Sequence, residues 1–339
     1  MNTLKMELPD KNYNIYVGSG LLSRVDEYFN LNRKVFILTD SGVPLEYAEK
    51  VKDCSKEAVI YTVPQGENSK SLLVMETVLK AMLNFDMSRK DVLVAVGGGV
   101  VGDLGGFLAA TYMRGIDFYN VPTTLLSQVD SSIGGKTAVN LGGIKNIVGA
   151  FHQPKAVLID TDTLKTLPKR QIAAGSAEAV KMALTSDKEL FELIENCGIT
   201  ENNLEEIIVR ALKIKKFVVE KDEKENGLRK ILNFGHTLGH GIEAEKLGEL
   251  YHGECVALGM LYMCAPEVQI RLTSVLKKLG LPVDYQYDID KALEFVIHDK
   301  KCQNGVVEAI FVPCIGQYEI KSLSVVEFKR LVKERTGEI

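Results

Sequence analysis

Residues 94–107 read Val-Ala-Val-Gly-Gly-Gly-Val-Val-Gly-Asp-Leu-Gly-Gly-Phe, an apolar run that passes through a cluster of glycines into a helical pattern. Gly97, Gly99 and Gly102 match the spacing G-x-G-x-x-G. Glycines at a turn between a strand and a helix let backbone N–H groups approach a pyrophosphate at the helix N-terminus. The stretch therefore predicts the strand–turn–helix unit of an α/β domain and marks a candidate site for a polar ligand.

The glycine spacing alone does not establish a dinucleotide site, because a tight structural turn gives the same pattern. In the dinucleotide fingerprint an acidic residue closes the strand that follows. Here Asn120 stands near that place, and the glycines follow the third predicted strand rather than the first. Asp103 beside the last glycine, and the pair Thr123–Thr124 at the end of the next strand, favour a polar ligand.

The first half of the chain alternates strand and helix signals. Short β-rich runs end in Gly, Pro, Asp or Thr, and a helical pattern lies between two of them at residues 71–85. This alternation predicts a parallel sheet covered by helices, with ligands held at the carboxyl ends of the strands. The predicted strands are residues 34–40, 58–64, 91–99, 116–124 and 156–162.

After about residue 165 the pattern becomes mainly helical, with strand signals only at 306–313 and 318–323. We therefore predict a Rossmann-like, nucleotide-binding α/β domain over residues 1–165 and a mainly α-helical domain over residues 166–339. A cleft between two such domains is the usual position of a small-molecule ligand.

Composition excludes several classes of protein. A net charge of −4 argues against nucleic acid or an anionic membrane as partner. No apolar run is long enough to span a bilayer, and residues 1–18 lack the apolar centre of a signal peptide. The six cysteines are scattered, without a C-x-x-C pair, as expected of buried thiols in a reducing compartment. We expect a cytoplasmic protein.

Three of the five histidines lie within seventeen residues, at positions 236, 240 and 252. His236 and His240 share one face if the segment is helical, but Thr237 stands where a zinc protease carries glutamate. A catalytic zinc takes three protein ligands. Glu178, in a helix of small residues where a lone charge would be costly, is a further candidate. Spacing alone leaves open whether His240 or His252 joins His236.

Six motifs in order resemble the 3-dehydroquinate synthases, a family of sugar-phosphate cyclases, and the resemblance covers about residues 30–315. The motifs are GGGVVGDLGGFLAATYMRG, VPTTLLSQVDSSIGGKTAVN, GIKNIVGAFHQP, AEAVK, DEKENGLRKILNFGHTLGH and HGECVALGM. The resemblance implies conversion of 3-deoxy-D-arabino-heptulosonate 7-phosphate to 3-dehydroquinate and phosphate. The resemblance implies that NAD transiently oxidises a hydroxyl of the substrate and that phosphate is then eliminated, with the leaving phosphate acting as its own base. Re-reduction, ring opening and aldol closure would follow.

The resemblance also implies which residues bind the cofactors. Zinc, or cobalt in its place, would be held by Glu178, His236 and His252, and His240 would face the phosphate of the substrate. The NAD contacts would be Asp40, Glu67, Lys70, Gly99, Val100, Val101, Gly102, Asp103, Thr123, Thr124, Lys136, Lys145, Thr163, Leu164, Lys165 and Thr166.

The implied substrate site is basic, as a substrate with a phosphate and a carboxylate requires. Arg114 would reach the site of a neighbouring subunit, which implies a homodimer. In the segment KIKK, Lys215 is chosen over Lys213 and Lys216 by the resemblance only. The substrate contacts would be Asp130, Lys136, Asn146, Lys181, Lys215, Glu225, Arg229, Asn233, His240 and Lys300, with Lys301 as the alternative to Lys300.

Helical spacing adds one expectation about this site, because Arg229 precedes Asn233 by one turn and His236 by about two. The three side chains should then project from one helix face. The chain departs from the family pattern at Gly241, where alanine is usual, and at Met182, where tyrosine is frequent.

Three alternatives remain at this stage. Another sugar-phosphate cyclase, of the 2-deoxy-scyllo-inosose or valiolone type, would share the fold, NAD and the metal. A metal-dependent polyol dehydrogenase would accumulate NADH, whereas a synthase would not. A non-catalytic NAD-binding module would have no use for the three metal ligands and the basic residues.

Overall fold

The structure, a computed structural model, describes residues 1–225, 227–246, 248–298, 302–303 and 306–336. The chain divides into two compact units, Met1–Pro168 and Lys169–Ile339. No helix among the described residues is long and apolar enough to cross a membrane.

The first unit combines nine strands and three α-helices. In chain order they are β1 (Asn2–Glu7), β2 (Asn12–Gly18), β3 (Lys34–Asp40), α1 (Leu45–Asp53), β4 (Glu57–Val63), α2 (Leu72–Asn84), β5 (Val92–Gly97), α3 (Gly99–Thr111), β6 (Asp117–Pro122), β7 (Lys136–Leu141), β8 (Ile144–Phe151) and β9 (Ala156–Asp160).

Seven of these strands form one sheet in the order β1-β2-β9-β6-β5-β3-β4. Every neighbouring pair is parallel except β1–β2. The chain runs outward from β3 to β4 and then crosses back to β5 on the other side of β3. In open α/β sheets such a reversal of strand order marks the position of the ligand. The reversal therefore lies between the carboxyl ends of β3 and β5.

The glycine stretch forms the predicted strand, turn and helix. β5 is buried along its whole length, and Gly98 precedes the first turn of α3. A Cβ atom at Gly105 would lie 3.0 Å from the Cβ atom of Ala95 on β5, so the helix and the strand approach closely at this point. The glycines thus allow α3 to pack closely on β5. They also leave the backbone N–H groups at the start of α3 unobstructed by side chains.

The predicted parallel sheet is confirmed, and all five predicted strands form. Two hairpins were not predicted. β1 and β2 pair antiparallel at one edge, with β2 joined to β9, while β7 and β8 form a separate two-stranded sheet. The side chains of β8 are exposed or half-buried, and its apolar residues do not alternate with polar ones, so the strand lacks the pattern typical of a half-buried strand.

The second unit is mainly helical, as predicted. Its elements are α4 (Lys169–Ser186), α5 (Lys188–Cys197), α6 (Leu204–Lys221), α7 (His236–Lys246), α8 (His252–Tyr262), α9 (Pro266–Lys278), α10 (Ile289–His298), β10 (Cys302–Gln303), β11 (Val306–Phe311), β12 (Glu319–Ser324) and α11 (Val325–Thr336).

The helix α4 is the centre of this unit. Every side chain from Ala173 to Thr185 is buried, and α4 packs against α5, α6 and α8. Most of these residues are small, so neighbouring helices can approach α4 closely. α7 packs against α8 on one side and α10 on another. Glu178 and Lys181 of α4 therefore lie inside the unit, where each needs a partner.

The junction of α4 and α5 depends on one carboxylate. Asp187 caps α5, because its Oδ1 atom accepts a hydrogen bond from Leu190 N at 3.0 Å. Arg210 of α6 donates to Oδ2 at 2.9 Å and to Oδ1 at 2.7 Å. Replacing Asp187 by Ala removes both the cap and the bidentate ion pair. We expect chemical denaturation at pH 7 to show a free energy of unfolding lower by about 1–2 kcal/mol.

This loss should depend on pH. Burial raises the pKa of Asp187, but the ion pair with Arg210 and the backbone N–H groups of Leu190 and Glu189 together outweigh it and hold the pKa below its ordinary value. A lowered folded-state pKa stabilises the fold above the unfolded-state pKa of about 3.9, and the stabilisation disappears as the pH falls through the folded-state value. The difference between wild type and Asp187→Ala should therefore shrink at acid pH. A difference that stayed constant from pH 7 to 3 would contradict the ion-pair contribution.

Candidate functional site

Three helices of the second unit bring an acid and two imidazoles together. The Glu178 Oε1 atom of α4 lies 3.5 Å from His236 Nε2 of α7 and 3.5 Å from His252 Nε2 of α8. Two ligand atoms about 2.1 Å from one zinc ion lie about 3.4 Å apart when the coordination is tetrahedral. The spacing of these atoms therefore fits a common ion.

The Glu178 carboxylate is buried, with a relative accessibility of 1%. The Lys181 ammonium forms an ion pair with Oε2, while Oε1 faces the two imidazoles. Burial alone would raise the pKa of Glu178, but Lys181 and His252 outweigh burial, so the pKa lies below its usual range. Glu178 is thus an ionised carboxylate whose Oε1 atom faces both imidazoles, and the ionised state is the one that a metal ligand needs.

Both histidines have an oxygen acceptor at Nδ1. His236 Nδ1 lies 3.2 Å from the carbonyl oxygen of Phe234, and His252 Nδ1 lies 2.9 Å from Glu243 Oε2. An oxygen acceptor at Nδ1 favours a proton on that nitrogen, so Nε2 is the atom of each ring that would bind an ion, with release of any proton it carries. Each Nε2 atom faces Glu178, so both imidazoles can ligate an ion beside it.

His240 is the fourth nearby donor. The ligand atoms of His236, His240 and His252 lie within 4.8 Å of one another, and the His240 ring centroid is 5.3 Å from that of His236. Four protein ligands would close a tetrahedral site, whereas a catalytic site keeps one position open. Because the buried Glu178 depends more on a cation than the half-buried His240 does, we favour Glu178, His236 and His252 as the ligands.

Glycines bring the ligand-bearing helices into backbone contact. A Cβ atom at Gly253, next to His252, would overlap the carbonyl oxygen of Ala174 on α4. One at Gly259 would overlap the carbonyl oxygen of Gly235, which directly precedes His236. The distances between the three ligands therefore depend on the absence of side chains at these positions.

We expect Gly253→Ala to displace α8 from α4. Overpacking of this kind costs about 1–3 kcal/mol of stability. A shift of about 1 Å between His252 and Glu178 would reduce turnover on the order of 10²-fold. Thermal unfolding, zinc titration and steady-state kinetics test both effects. If Gly253→Ala had the melting temperature and the zinc affinity of the wild type, the two helices could separate without loss of stability or of metal binding.

An ionic clamp holds the start of α8. Arg170, at the start of α4, donates to both carboxylate oxygens of Glu254 at 2.7 and 2.8 Å and to the carbonyl oxygen of Glu249 at 2.8 Å. Glu254 also accepts from Tyr251 N at 2.7 Å, and the guanidinium lies 4.6 Å from the centre of the Tyr251 ring. The clamp attaches the first turn of α8, which contains His252, to α4.

Three predicted substrate-binding cations are buried. Lys181, Lys215 and Arg229 have relative accessibilities of 1%, 6% and 3%. They lie on α4, α6 and a short 3-10 helix (Leu228–Asn233), and these three elements pack against one another. Lys213 is exposed and Lys216 is half-buried, so packing distinguishes the lysines that sequence periodicity could not. A cluster of buried positive charge is suited to an anionic ligand.

The expectation that Arg229, Asn233 and His236 share one helix face is wrong. The 3-10 helix ends at Asn233, Phe234 is not helical, and Gly235 has φ of 76°. α7 starts only at His236. The chain turns here because Gly235 packs directly on α8, where any Cβ atom would lie 2.7 Å from the Val256 carbonyl oxygen. Arg229 and Asn233 thus belong to a different element from His236.

Glu225 and Asn233 form a hydrogen-bonded pair. Asn233 Nδ2 donates to Glu225 Oε1 at 3.0 Å, and Glu225 has a positive φ of 63°. Arg229 is attached to the same loop, since its N–H donates to Asp222 Oδ2 at 3.0 Å and its guanidinium donates to the Glu223 carbonyl oxygen. The loop before the 3-10 helix therefore positions three of the predicted substrate contacts together.

In the first unit the predicted NAD contacts follow the carboxyl ends of four parallel strands. Asp40 ends β3, Gly99–Asp103 begin α3 after β5, Thr123 and Thr124 follow β6, and Thr163–Thr166 form most of a 3-10 helix after β9. Leu38 of β3 pairs with Ala95 of β5, two residues before Asp40 and Gly97. Asp40 therefore lies beside the glycine turn, although it is distant in sequence.

Asp40 is nearly buried, and its Oδ1 atom accepts a hydrogen bond from Gly42 N at 2.7 Å. Burial raises its pKa, partly offset by backbone hydrogen bonds from Gly42 and Val43. An acid beside the glycine turn is the element that the dinucleotide fingerprint demands. The sequence analysis expected this acid on β6, which follows β5 in sequence, whereas Asp40 ends β3 on the other side of β5.

Lys70 joins several of the other predicted contacts. Its ammonium lies 2.8 Å from Asp103 Oδ2 and 3.4 Å from Glu67 Oε1, and it donates to Asn146 Oδ1. Burial lowers the pKa of Lys70, but the carboxylates of Asp103 and Glu67 together raise it by more, so the pKa lies above its ordinary value. Lys70 is therefore a buried cation whose charge is held by its neighbours. Lys145 is exposed next to Asn146, whose φ is 53°.

The remaining predicted residues have varied positions. Thr163 is buried, and its hydroxyl accepts from Gln128 Nε2 at 3.0 Å, which indicates a structural contact. Asp130 is half-buried in a short π-helix (Ser127–Ser131) that follows β6, while Lys136 is exposed at the start of β7. Arg114 is exposed. Lys300 and its alternative Lys301 lie outside the described residues.

Comparison with known proteins gives consistent relatives. Two family models match, "3-dehydroquinate synthase N-terminal" over residues 60–174 and "3-dehydroquinate synthase C-terminal" over residues 175–302. A 3-dehydroquinate synthase of Streptococcus mutans is 40% identical over 353 residues, covering 98% of this chain and 99% of its own length.

Two solved structures are similar over the whole chain. A 2-deoxy-scyllo-inosose synthase complexed with carbaglucose-6-phosphate, NAD+ and Co2+ has a TM-score of 0.88 at 27% identity and covers 98% of this chain and 100% of its own. A 2-epi-5-epi-valiolone synthase from Streptomyces hygroscopicus with NAD+ and Zn2+ bound has a TM-score of 0.88 at 26% identity, covering 98% and 99%.

Proposed function

The chain belongs to the 3-dehydroquinate synthase family, and from that membership we propose that it converts 3-deoxy-D-arabino-heptulosonate 7-phosphate to 3-dehydroquinate and phosphate. It would thus be a carbon–oxygen lyase of the pathway to aromatic amino acids, acting in the cytoplasm. Identity of 40% to relatives of that name, against 26–27% to the two solved cyclases with other products, favours this substrate over theirs.

One observation carries the proposal: the Glu178 carboxylate lies 3.5 Å from the Nε2 atoms of both His236 and His252. We infer that these three residues hold zinc, or cobalt in its place. A bound divalent ion supplies Lewis acidity toward a developing oxyanion. Lys181 and His252 hold Glu178 ionised, and the acceptors at Nδ1 orient both imidazoles so that their Nε2 atoms face its carboxylate.

The first unit is proposed to bind NAD, which supplies reversible hydride acceptance. Asp40 and the start of α3 flank the reversal of strand order, the position where open α/β sheets bind dinucleotides. The backbone N–H groups of the first turn of α3 would receive the pyrophosphate, and Asp40 a ribose hydroxyl. Lys70 would keep Asp103 and Asn146 in place beside it.

The second unit is proposed to bind the anionic groups of the substrate. Lys181, Lys215 and Arg229 supply charge that is already desolvated, so their interaction with phosphate or carboxylate is strong. Asn233 would add a neutral donor, oriented by Glu225. His240 would contact the phosphate rather than the ion. These residues mainly orient the substrate and exclude water.

A homodimer is also proposed, with Arg114 reaching the site of the partner subunit. Met113 and Arg114 are adjacent non-glycine residues with positive φ values of 48° and 69°. Such backbone costs about 1–3 kcal/mol per residue and concentrates at functional positions. Because Arg114 is exposed at the end of this turn, the strain is consistent with a role outside its own unit.

One incubation tests the proposed function. Purified protein with NAD, zinc and the heptulosonate phosphate should release phosphate in proportion to carbocycle formed, with no net NADH. A chelator should stop the reaction and added zinc restore it. NADH that accumulated with turnover would identify a dehydrogenase instead. Phosphate released only from a different sugar phosphate would assign the chain to another cyclase.

A further inference from the structure

We propose that Glu243 is a positioning residue for the metal, acting through His252. The proposal rests on the metal ligands inferred above and goes beyond them, because Glu243 belongs to none of the predicted sets of site residues. Its Oε2 atom lies 2.9 Å from His252 Nδ1, and its side chain is 15% exposed. A short contact between a largely buried carboxylate and an imidazole needs a reason.

The geometry excludes Glu243 as a ligand of the same ion. It contacts the Nδ1 edge of the imidazole, whereas Glu178 lies 3.5 Å from Nε2 on the other edge. An ion bound by Nε2 and Glu178 would therefore lie across the ring from Glu243. The arrangement is carboxylate, imidazole, metal, in which the outer carboxylate selects the tautomer, orients the ring and increases the basicity of the ligating nitrogen.

His236 shows the same arrangement with a weaker acceptor. Its Nδ1 atom faces the Phe234 carbonyl oxygen at 3.2 Å, and the position of that oxygen is set by the backbone. His252 is the first residue of α8 and is more exposed than His236, at 32% against 10% of the side chain. The more exposed histidine thus has the stronger, charged acceptor. Glu243 compensates for the freedom that the His252 ring would otherwise have.

The sequence contained a signal for this role. His236, His240 and Glu243 follow one another at i, i+4 and i+7 on α7, so all three side chains share one face of that helix. One helix would then supply a ligand, a substrate contact and the orienting carboxylate for a ligand on α8.

The test measures zinc affinity in the full-length protein by competition with a colorimetric chelator. Glu243→Ala should raise the zinc Kd by about 10–100-fold. Glu243→Gln should raise it less, because the amide oxygen can still accept from Nδ1–H. Glu245→Gln, two residues along the same helix, removes the same charge without touching His252 and should leave the Kd unchanged. The visible spectrum of the Co²⁺ form should change in the Glu243 variants only.

Two results would overturn the proposal: wild-type zinc Kd in both Glu243 variants, or an equal loss in Glu245→Gln, which would mean a general effect of charge. Thermal unfolding without metal shows whether Glu243→Ala is folded, and if it is not, Glu243→Gln decides. Wild-type protein that bound zinc no more tightly than His236→Ala would instead refute the proposed metal site.

Discussion

Glu178→Gln is expected to lower turnover on the order of 10³-fold or more and to abolish tight zinc binding. A metal ion contributes several kcal/mol to stabilising developing negative charge, and each 1.4 kcal/mol corresponds to a factor of ten. The substitution replaces the anionic ligand by a neutral amide of the same size. Because Glu178 Oε1 lies 3.5 Å from both Nε2 atoms, the substitution removes the negative charge at the point where the two imidazoles meet.

The same substitution should also destabilise the protein. Lys181 is 1% exposed and is ion-paired with Glu178, so the variant leaves a buried ammonium without its carboxylate. Removal of one partner of a buried ion pair lowers the free energy of unfolding by about 3–5 kcal/mol. Zinc should not restore this loss. Glu189→Gln, which alters an exposed ion pair with Arg210, should change stability by less than about 1 kcal/mol and serves as the control.

Calorimetry or denaturation with and without zinc measures both effects. At a zinc concentration of 100 times Kd, wild-type protein should gain about 2.7 kcal/mol, and Glu178→Gln almost nothing. NAD affinity should persist in the variant, since the proposed NAD contacts lie in the first unit. Wild-type zinc binding by Glu178→Gln would refute the ligand assignment and favour the three-histidine set.

The strand–turn–helix at residues 94–107 was predictable because apolar runs and glycines determine local structure strongly. The position of the acid beside it was not. β5 lies between β6, the next strand in sequence, and β3, an earlier one, and the acid ends β3 rather than β6. Asp40 therefore supplies an acid from an earlier strand. Such pairing depends on tertiary topology, which local patterns do not contain.

The helical half shows a similar division. The spacing of His236 and His240 predicts one helix correctly, but the same argument extended back to Arg229 fails at Gly235. A positive φ and a backbone-to-backbone contact with α8 end the pattern there. Likewise, the choice of Lys215 among three neighbouring lysines needed burial, which depends on packing against α4. The resemblance supplied these residues, whereas periodicity did not.

Gly241 shows how packing can account for a departure from the family pattern. A Cβ atom there would overlap the carbonyl oxygen of Ala292 on α10. The usual alanine would therefore require α10 to lie farther from α7 than it does in this chain. The structure offers no comparable explanation for Met182, which is fully buried on α4.

Zinc is expected to restore the stability of Lys181→Met, whereas it should not restore that of Glu178→Gln. The substitution leaves the Glu178 carboxylate buried without its ammonium, so the metal-free protein should lose about 3–5 kcal/mol of stability. A divalent cation can replace the missing charge. Zinc should therefore bind at least as tightly as in wild type and restore most of the lost stability. Turnover should still fall on the order of 10²–10³-fold, because a buried donor to the substrate is gone.

Thermal unfolding across a zinc titration, combined with phosphate-release kinetics, distinguishes the two variants of this ion pair. Lys216→Met on α6 removes a lysine whose partner is Glu220 at 2.8 Å and should leave zinc binding unchanged. If Lys181→Met lost zinc as Glu178→Gln does, Lys181 would be needed to build the metal site rather than to contact substrate. If it kept both zinc and full turnover, Lys181 would serve only to neutralise Glu178 before the ion binds.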